Sequence, residues 1–272
     1  MGMTIKVLID NVAVKTSLRA QHGLSLLVEG PWGTTLMDAG ADAEILLHNA
    51  AVLGADLSGL SRVVLSHGHY DHTGGLAGLL GGGLTVYCGP GTFHPRYVER
   101  PGEPMRRIGP PISAEHLRAH GARVVQVDAP LQLEEGLLVS GPVGGPMWGA
   151  EEFSVLAGEE LVPDRFADEL FLMARGRSGW VVLTGCCHRG VTNTLRLARF
   201  LARGERLAAV IGGLHLRLCD APQLQAVLAA LREAGSPDLY AGHCTGQEAV
   251  EFLTANYEGR TQAIGAGTEV DF

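Results

Sequence analysis

The densest group of potential metal-ligating side chains in this sequence lies in six consecutive residues, the run HGHYDH at positions 67–72. The run holds three imidazoles and one carboxylate, which are ligand types for zinc, iron and manganese. In an extended or turning segment His67 and His69 point the same way, so both can bind one ion. Asp71 and His72 lie a turn further on and can bind a second, neighbouring ion. The spacing predicts a metal site, whereas a lone His-X-His pair would more simply be a polar loop.

Short strands and tight turns are predicted to position this run. The apolar residues 63–65 directly before it form a buried strand, and the glycines that follow it allow a turn into a short helix from Gly75. The preceding part of the chain is predicted to contain strands at 4–9, 24–28 and 34–37, a hairpin turn at 31–33, and a helix at 43–53.

The rest of the chain contains two predicted irregular segments, between which and after which further strands and helices are predicted. Residues 89–111 are rich in glycine and proline and are predicted to form a long irregular loop, and 141–148 form a second irregular stretch. Further strands are predicted at 84–87, 124–127 and 137–139, followed by an alternation of strands (180–183, 207–211, 238–241) and helices (191–201, 222–233, 247–257). This order predicts sheets packed together with helices outside, and residues 1–272 are interpreted as a single domain.

Composition excludes several classes of protein. With 46% hydrophobic and 18% charged residues, the chain of 272 residues is not intrinsically disordered. A formal charge of −8 argues against a nucleic-acid partner. The start of the chain has no signal-peptide pattern, the apolar runs are too short for a membrane span, and five cysteines without zinc-ribbon spacing favour reduced thiols. We therefore expect a cytoplasmic protein with a small-molecule substrate and no membrane partner, and leave homo-oligomerisation open.

The segment HGHYDHTGG at 67–75 resembles the signature of the metallo-β-lactamase superfamily. The resemblance covers almost the whole chain. It implies an α+β fold, a four-layer αββα sandwich with a mono- or dinuclear metal site at one edge of its two sheets. In this family an Asp-Ala-Gly such as 38–40 ends an early strand and hydrogen-bonds the site, and the strand predicted at 34–37 independently puts Asp38 there. The alternative is that Asp38 only caps the helix beginning near Ala41.

The resemblance implies a third histidine for the first metal and an aspartate that bridges both. In the stretch TGCCHRG at 184–190 the bridging position holds Cys186, whose thiolate could bridge or ligate; equally, Cys186 could be a small buried residue. The stretch 140–145, where the third histidine is expected, contains none. His188 is therefore assigned as the third histidine ligand. His94 is the alternative candidate, although it is expected to contact substrate or solvent instead.

The family's final histidine is assigned to His243, which follows a predicted strand and precedes a helix. His215 also ends a strand, and it could bind metal, bind a substrate anion, or donate to a carbonyl at the edge of the core. With Asn193, the motifs TGCCHRG, GGLHL at 212–216 and HCTG at 243–246 resemble one branch, the 7,8-dihydropterin-6-methyl-4-(β-D-ribofuranosyl)aminobenzene-5'-phosphate synthase-like proteins. Residues 137–145 depart from that branch, which expects a polar residue after the glycine.

The resemblance implies two divalent metal ions, zinc in the first place and manganese or iron as alternatives, that lower the pKa of bound water and present hydroxide. Asp71 would accept or orient the proton of that water, and Asp38 would hold a ligand histidine. Arg189, at a predicted strand-to-helix junction, could receive a phosphate or simply be exposed. The loop arginines Arg96, Arg106 and Arg107 could add anion contacts or be solvated.

The expected function is a metal-dependent hydrolase acting on a small anionic phosphoester or phosphodiester. The alternatives are a carboxylic ester, thioester or lactone hydrolase and, because the bridging aspartate is missing, a metal-binding sensor or pseudoenzyme. The remaining histidines, His22, His48, His116 and His120, are interpreted as solvated. The predicted site comprises the metal ligands His67, His69, Asp71, His72, His188 and His243, the possible ligands or bridges Cys186 and His215, the catalytic residues Asp71 and Asp38, and the substrate-binding residues His215, Arg189 and His94.

Overall fold

Two seven-stranded sheets pack face to face at the centre of the protein, seen in a computed structural model that describes residues 2–81, 83–147 and 152–272. The first sheet has the order β18-β1-β2-β3-β4-β5-β8. Its strands are β1 (Thr4–Ile9), β2 (Ser25–Gly30), β3 (Gly33–Met37), β4 (Arg62–Val64), β5 (Thr85–Cys88), β8 (Arg123–Gln126) and β18 (Glu269–Asp271). Four of these strands, β3, β4, β5 and β8, are parallel, so their carboxyl ends meet at one edge.

The second sheet is built from the C-terminal half in the order β17-β16-β15-β14-β13-β10-β9. Its strands are β9 (Leu131–Glu134), β10 (Leu137–Val139), β13 (Leu172–Gly176), β14 (Gly179–Thr184), β15 (Leu207–Gly213), β16 (Asp238–Gly242) and β17 (Thr261–Ala263). Here β14 to β17 are parallel, because each of the connections from β14 to β15 and from β15 to β16 contains a helix.

Helices cover the outer face of each sheet. On the first sheet lie α1 (Ala43–Val52), a 3₁₀ helix (Gly74–Leu79) and α3 (Ala114–Ala119); on the second lie α4 (Val191–Leu201), α5 (Ala221–Glu233) and α6 (Gln247–Asn256). The one-turn helix α2 (Tyr70–Thr73) contains the end of the HGHYDH run. Helix α5 begins where sequence favours it, with a capping box between Asp220 and Gln223 and a proline in its first turn. No helix within the described ranges has both the length and the apolar character needed to cross a bilayer.

Three apolar layers hold the sheets and helices together. Alternate residues of β2 point to opposite faces, so Leu26 and Val28 enter the core between the sheets while Leu27 packs under α1. Leu183 enters the inter-sheet core from β14, and Val182 beside it packs under the helices of the second sheet. Strands that are buried on both faces explain why the sequence shows apolar runs rather than alternation. The expectation of an αββα sandwich is confirmed.

A third, four-stranded sheet was not predicted. It has the order β12-β11-β6-β7, formed by β6 (Arg96–Val98), β7 (Arg106–Arg107), β11 (Phe153–Ala157) and β12 (Glu160–Pro163). The region 89–111 therefore contains two strands where an irregular loop was expected. These strands are only three and two residues long; β6 pairs with β11 more than fifty residues away, and β7 pairs only with β6, so local patterns carry almost no signal for them. The second irregular stretch, 141–148, ends at Trp148, which lies outside the described residues.

Candidate metal centre

Side chains that follow the ends of six strands meet at one edge of both central sheets. Ser66 and His67 come shortly after β4, and Asp38 comes directly after β3. On the second sheet, Cys186 follows β14 by two residues and His243 directly follows β16. Since parallel strands present their carboxyl ends at a common edge, chain segments far apart in sequence converge there.

Left-handed backbone marks this edge. Of the seven non-glycine residues with positive φ among the described residues, four follow strands at the site: Asp38 (+58°), Cys187 (+62°), His215 (+52°) and His243 (+52°). Such a conformation is unfavourable for residues with a Cβ and tends to persist where the surrounding structure enforces it, commonly at functional sites.

His67, His69 and His188 form the first group of candidate ligands. They are buried, one ligand nitrogen from each lies within 4.8 Å of the others, and the Nε2 atoms of all three lack a hydrogen-bond partner among the described residues. The Nδ1 atom of His67 lies 2.9 Å from the Ser66 hydroxyl, which orients the ring. Burial, together with the neighbouring cationic groups, lowers the pKa of each of these histidines well below its ordinary value. The neutral form, which binds metal, is therefore favoured.

His72, His243 and Asp71 form the second group. The Nε2 atoms of the two histidines are 3.2 Å apart, and Asp71 Oδ2 lies 3.7 Å from that of His72 and 3.5 Å from that of His243. Each ring is held from behind, because His72 Nδ1 is 2.6 Å from Asp38 Oδ2 and His243 Nδ1 is 3.0 Å from Asn11 Oδ1. Both Nε2 atoms consequently point towards Asp71, as ligands of one ion would.

Asp38 acts through other residues. Its Oδ1 accepts a hydrogen bond from the Ser66 backbone (2.7 Å), and its Oδ2 accepts one from the Ser66 hydroxyl (2.6 Å) and contacts His72. The side chain that caps α1 is that of Asp42, so the alternative that Asp38 caps this helix is wrong. Asp38 is fully buried and does not line the cavity described below, so the structure places it as a positioning residue behind His72.

Cys186 lies between the two groups. Its sulfur is 3.3 Å from His72 Nε2, and it lies within 4.8 Å of ligand atoms of His67 and His72, and also of His188 and His215. The residue is both buried and central, so its burial does not argue against a bridging position. His215 lies beside His188, with ring centroids 4.3 Å apart, and its buried Nδ1 has no partner among the described residues.

Two predicted substrate-binding residues lie elsewhere. The Arg189 guanidinium donates to the backbone carbonyls of Val143 (3.1 Å), Arg165 (2.9 Å) and Gly145, so its hydrogen-bonding capacity is used within the fold. His94 is exposed on the segment before β6. Neither side chain lines the cavity over the candidate metal centre, so the structure does not bring them to the site.

Arg96 is buried and supports the HGHYDH run at 67–72. It forms ion pairs with Asp164 and Asp168, both at 2.7 Å, and Nη1 donates to the Gly68 carbonyl at 3.3 Å. Asp168 in turn accepts a hydrogen bond from the Gly68 amide (2.8 Å). A Cβ at Gly68 would lie 1.8 Å from the Thr92 carbonyl oxygen, so the turn between His67 and His69 requires glycine. The expectation that Arg96 contacts an anion or is solvated is therefore wrong.

Four polar residues at the site were missed by sequence reasoning. Asp10 accepts a hydrogen bond from the His243 amide (2.9 Å), and Asn11 contacts the His243 ring. Both directly follow β1, as Asp38 follows β3, and that parallel could have identified them. Glu169 accepts hydrogen bonds from the amides of His188 and Arg189, both at 2.6 Å, and burial raises its pKa to about 7.

The fourth missed residue is His22, which was interpreted as solvated. Its side chain is 61% exposed, yet its Nε2 lies 3.2 Å from Asp71 Oδ2 and it lines the cavity. It belongs to a segment without regular structure, so no periodicity could place it. Of the other three, His116 and His120 are exposed as expected, whereas His48 is half-buried with its Nε2 3.0 Å from the Ser17 carbonyl oxygen; none of them lines the cavity.

A cavity of about 360 Å³ opens over both ligand groups. The third sheet and its connections supply an apolar wall of Val98, Ile108 and Phe153. Basic residues line the same cavity: Arg100, paired with Glu152 at 2.8 Å, Arg106, and Arg217 from the segment after β15. The arrangement can therefore receive a small molecule that carries negative charge and an apolar portion.

Several known proteins are similar to this chain. A sequence profile described as the metallo-beta-lactamase superfamily matches residues 18–149. The chain is 26% identical to the 7,8-dihydropterin-6-methyl-4-(beta-D-ribofuranosyl)-aminobenzene-5'-phosphate synthase of Methanocaldococcus jannaschii, over 97% of this chain and 94% of that protein. It is 31% identical to the uncharacterized protein MJ0448 of the same organism, over 78% and 79% of the two chains. The solved structure of Tm1679, a metal-dependent hydrolase of the beta-lactamase superfamily, has 30% identity, 98% coverage of both chains and a TM-score of 0.86.

Proposed function

This chain belongs to the metallo-β-lactamase superfamily, and from that premise we propose that it is a hydrolase with a two-metal centre that acts on small anionic phosphoesters or phosphodiesters. The sequence-based assignments of the superfamily and of the enzyme class, a metal-dependent hydrolase, are confirmed. The proposed metal ligands are His67, His69 and His188 for one ion, and Asp71, His72 and His243 for the other, with Cys186 between them and His215 beside the first.

The observation that carries this proposal is the set of three buried imidazole nitrogens without partners at His67, His69 and His188. Leaving a buried polar atom unsatisfied destabilises a fold by about 1–3 kcal/mol. Three such atoms facing one another are accounted for if a cation binds between them. The imidazole and thiol donors favour zinc over manganese, with iron as an alternative.

Metal ions held by these histidines and Asp71 would lower the pKa of a bound water molecule towards about 7 and would polarise the oxygen of a scissile ester. Asp71 lines the cavity, and its Oδ2 is positioned to hold or accept a proton. His22, 3.2 Å from that oxygen and largely exposed, supports exchange of the proton with solvent. Asp38 and Asn11 orient the histidines at 72 and 243; Asp38 lies behind them and does not line the cavity, whereas Asn11 borders it.

The basic residues of the cavity support an anionic substrate. Arg106 has no ion-pair partner among the described residues, unlike Arg100, and both lie near the apolar wall. A phosphoester with an apolar or aromatic alcohol group would satisfy both features. One relative carries a 5'-phosphate in its name, which agrees with phosphate recognition.

A second candidate is favoured by the same wall. Val98, Ile108 and Phe153 form the apolar lining that a carboxylic ester, thioester or lactone hydrolase would need. The third candidate, a metal-binding sensor or pseudoenzyme, is motivated by a cysteine at the position where the family has its bridging aspartate. A small-molecule substrate, the lack of nucleic-acid and membrane partners, and a cytoplasmic location stay predictions.

The experiment combines metal analysis of the purified protein with assays on bis-p-nitrophenyl phosphate, p-nitrophenyl phosphate, p-nitrophenyl acetate and a homoserine lactone. We expect two metal equivalents and turnover of the phosphate esters. Turnover of the acetate or the lactone alone would favour the second candidate, and full metal content with no turnover would favour the sensor.

A matched pair of variants tests anion recognition. Arg106→Ala should lower kcat/KM for the phosphate substrate by about 10- to 100-fold, since a charge-assisted hydrogen bond contributes about 1.5–3 kcal/mol. Arg107→Ala is the control, because Arg107 is exposed, donates to the Pro110 carbonyl and does not line the cavity. Equal effects of both variants would contradict a role for Arg106 at the cavity.

A further inference from the structure

Two cysteines reach each other across the end of strand β15. Cys186 follows β14 and Cys244 follows β16, and β15 lies between those strands in the sheet. The last residue of β15 is Gly213, where a Cβ would lie 2.6 Å from the Cys244 sulfur and 2.4 Å from the Gly185 carbonyl oxygen. The missing side chain at 213 is what leaves room for the two thiols to approach.

The two sulfurs are close and accessible. They lie within 4.8 Å of each other, and the Cys244 thiol donates to the Cys186 carbonyl oxygen at 3.4 Å. Both residues line the cavity, so a small reagent that enters the cavity meets both. A disulfide has a sulfur–sulfur distance of about 2.05 Å, so closure requires a further approach of the two side chains.

The other three cysteines lie in different surroundings. Cys187 packs into the apolar layer under the helices of the second sheet and accepts a hydrogen bond from Thr194. Cys88 is buried in the layer under α1, and Cys219 is half-buried in the segment before α5. The structure therefore singles out Cys186 and Cys244 among five free thiols.

We propose that Cys186 and Cys244 form a reversible disulfide when a peroxide enters the cavity, and that this disulfide weakens metal binding. Cys244 is the more exposed of the two, and its sulfur attacks one peroxide oxygen; the O–O bond breaks, giving a sulfenic acid and one molecule of water or alcohol. The Cys186 sulfur then attacks the sulfenic sulfur, so the S–S bond forms, the S–O bond breaks and water leaves. The two thiols lose two electrons to the peroxide, and a thiol reductant reverses the change.

The link to metal binding comes from the position of Cys186. Its sulfur lies near His67 and His72 on one side and near His188 on the other. A bond to Cys244 shifts this sulfur from its place between the two groups and removes its capacity as a thiolate ligand. This part of the inference rests on the proposed metal centre, whereas disulfide formation does not.

The first test measures the bond directly. The full-length protein, freed of metal by a chelator, is treated with hydrogen peroxide, and its thiols are counted under denaturing conditions. We expect the count to fall from five to three and to return with dithiothreitol. Trypsin would release Cys186 in peptide 178–189, Cys244 in 233–260 and Cys219 in a separate peptide, 218–232, so mass spectrometry identifies the partners.

Variants make this test specific. Cys187→Ala removes the second cysteine from peptide 178–189, and the cross-linked peptide should persist in it; it should vanish in Cys186→Ala and Cys244→Ser. Oxidation of Cys244 to sulfinic acid without cross-linking, or preferential linkage of Cys187 or Cys219, would overturn the proposal. No step depends on hydrolase activity, so failure of the proposed function leaves this result interpretable.

A zinc titration tests the coupling. Oxidised wild-type protein should bind zinc at least about tenfold more weakly than the reduced protein, since loss of even an outer-sphere partner weakens metal sites by 10- to 100-fold. Oxidised Cys244→Ser, which cannot close the bond, should differ little from its reduced form. Unchanged zinc affinity in cross-linked wild-type protein would overturn the coupling.

Discussion

At the scale of single residues, the candidate centre depends on imidazoles that are held on one nitrogen and free on the other. His72 and His243 are each fixed from behind by an oxygen, that of Asp38 or Asn11, and His67 is fixed by Ser66. Fixing one nitrogen sets the orientation of the ring and the tautomer, and leaves the second nitrogen to bind metal. Replacing a residue behind the ring should therefore weaken metal binding without removing a ligand.

His67→Ala should abolish metal binding at the first group and hydrolytic activity while leaving a folded protein. The reason is that one of three converging nitrogens is lost, and the substituted side chain relieves an unsatisfied buried atom. Metal analysis, activity and circular dichroism check this. His94→Ala is the control, because this exposed histidine should change none of them; retention of both metals in His67→Ala would contradict the assignment.

Zinc binding at the second group should strengthen with pH. Burial lowers the pKa of His72, but the carboxylates of Asp38 and Asp71 raise it by more, so the pKa lies at about 9 in the metal-free protein. His72 is then protonated at neutral pH, and an ion must displace the proton. Affinity should fall by up to about tenfold for each pH unit below 9.

Competition titrations with zinc between pH 6.5 and 9.5 measure this dependence. The stability linked to His72 in the metal-free protein has the corresponding sign: it is present below pH 6.5 and is lost as the pH rises through about 9. Asp38→Asn should flatten both profiles. If both zinc equivalents bind independently of pH, the protonated state of His72 is disproved.

At this scale the sequence identified the candidate ligands that the structure brings together, but not the residues that support them. Three histidines and an aspartate within six residues predict metal binding from residue type and spacing alone. Glu169 and Asp10 support the ligands through backbone amides, and His22 reaches Asp71 from an irregular segment. Such contacts depend on tertiary proximity, which spacing along the chain does not encode. Arg189 shows the converse, since a plausible anion contact is instead bonded to three carbonyls.

At the scale of elements, the third sheet is joined to the HGHYDH run at 67–72 through Arg96 on β6. This buried guanidinium bonds two aspartates and the carbonyl of Gly68, and the same sheet supplies the apolar wall of the cavity. Arg96 thereby fixes the position of the apolar wall relative to residues 67–72. Substitution of Arg96 should therefore lower both the metal affinity and the free energy of unfolding.

Arg96→Met should lower the free energy of unfolding by about 3–5 kcal/mol, because it leaves the buried carboxylates of Asp164 and Asp168 without their cation. Zinc affinity should also fall, since Gly68 between the two histidines loses a contact. Urea unfolding and zinc titration measure both effects. The control is Arg100→Met, which breaks the more exposed pair with Glu152 and should lose less than about 1 kcal/mol.

Helices with clear ends were predicted well, whereas the interior strand β13 was missed although its first three residues are buried. Helix α4 was predicted with its observed bounds, and α1 and α5 to within one residue at each end. The edge strands β17 and β18 and the hairpin of β11 and β12 are three to five residues long and take their stability from distant partners, so they were not predicted. The fold was deduced from the family signature rather than from these strands.

At the scale of the whole molecule, the candidate ligands come from both central sheets. Those at 67–72 follow β4 of the first sheet, and those at 186–188 and 243 follow β14 and β16 of the second. An ion bound by both sets joins the sheets at their shared edge. Metal should therefore stabilise the fold as a whole.

Chelation should lower the melting temperature, and readdition of zinc should restore it. An ion bound at one hundred times its dissociation constant adds about 2.7 kcal/mol to the free energy of unfolding. Thermal unfolding with and without a chelator measures the shift. The zinc-dependent part should be reduced in His67→Ala, and an identical shift in that variant would contradict binding across the sheets.

The candidate ligands of the two sheets are synthesised at different times. The candidate ligands at 67–72 precede those at 186–188 and 243 by more than a hundred residues, and β18 at Glu269–Asp271 pairs with β1. Because translation delivers the amino-terminal side of a segment first, the 67–72 cluster is synthesised well before its counterparts on the second sheet. A centre that needs both sets can therefore be completed only after residue 243 has emerged from the ribosome.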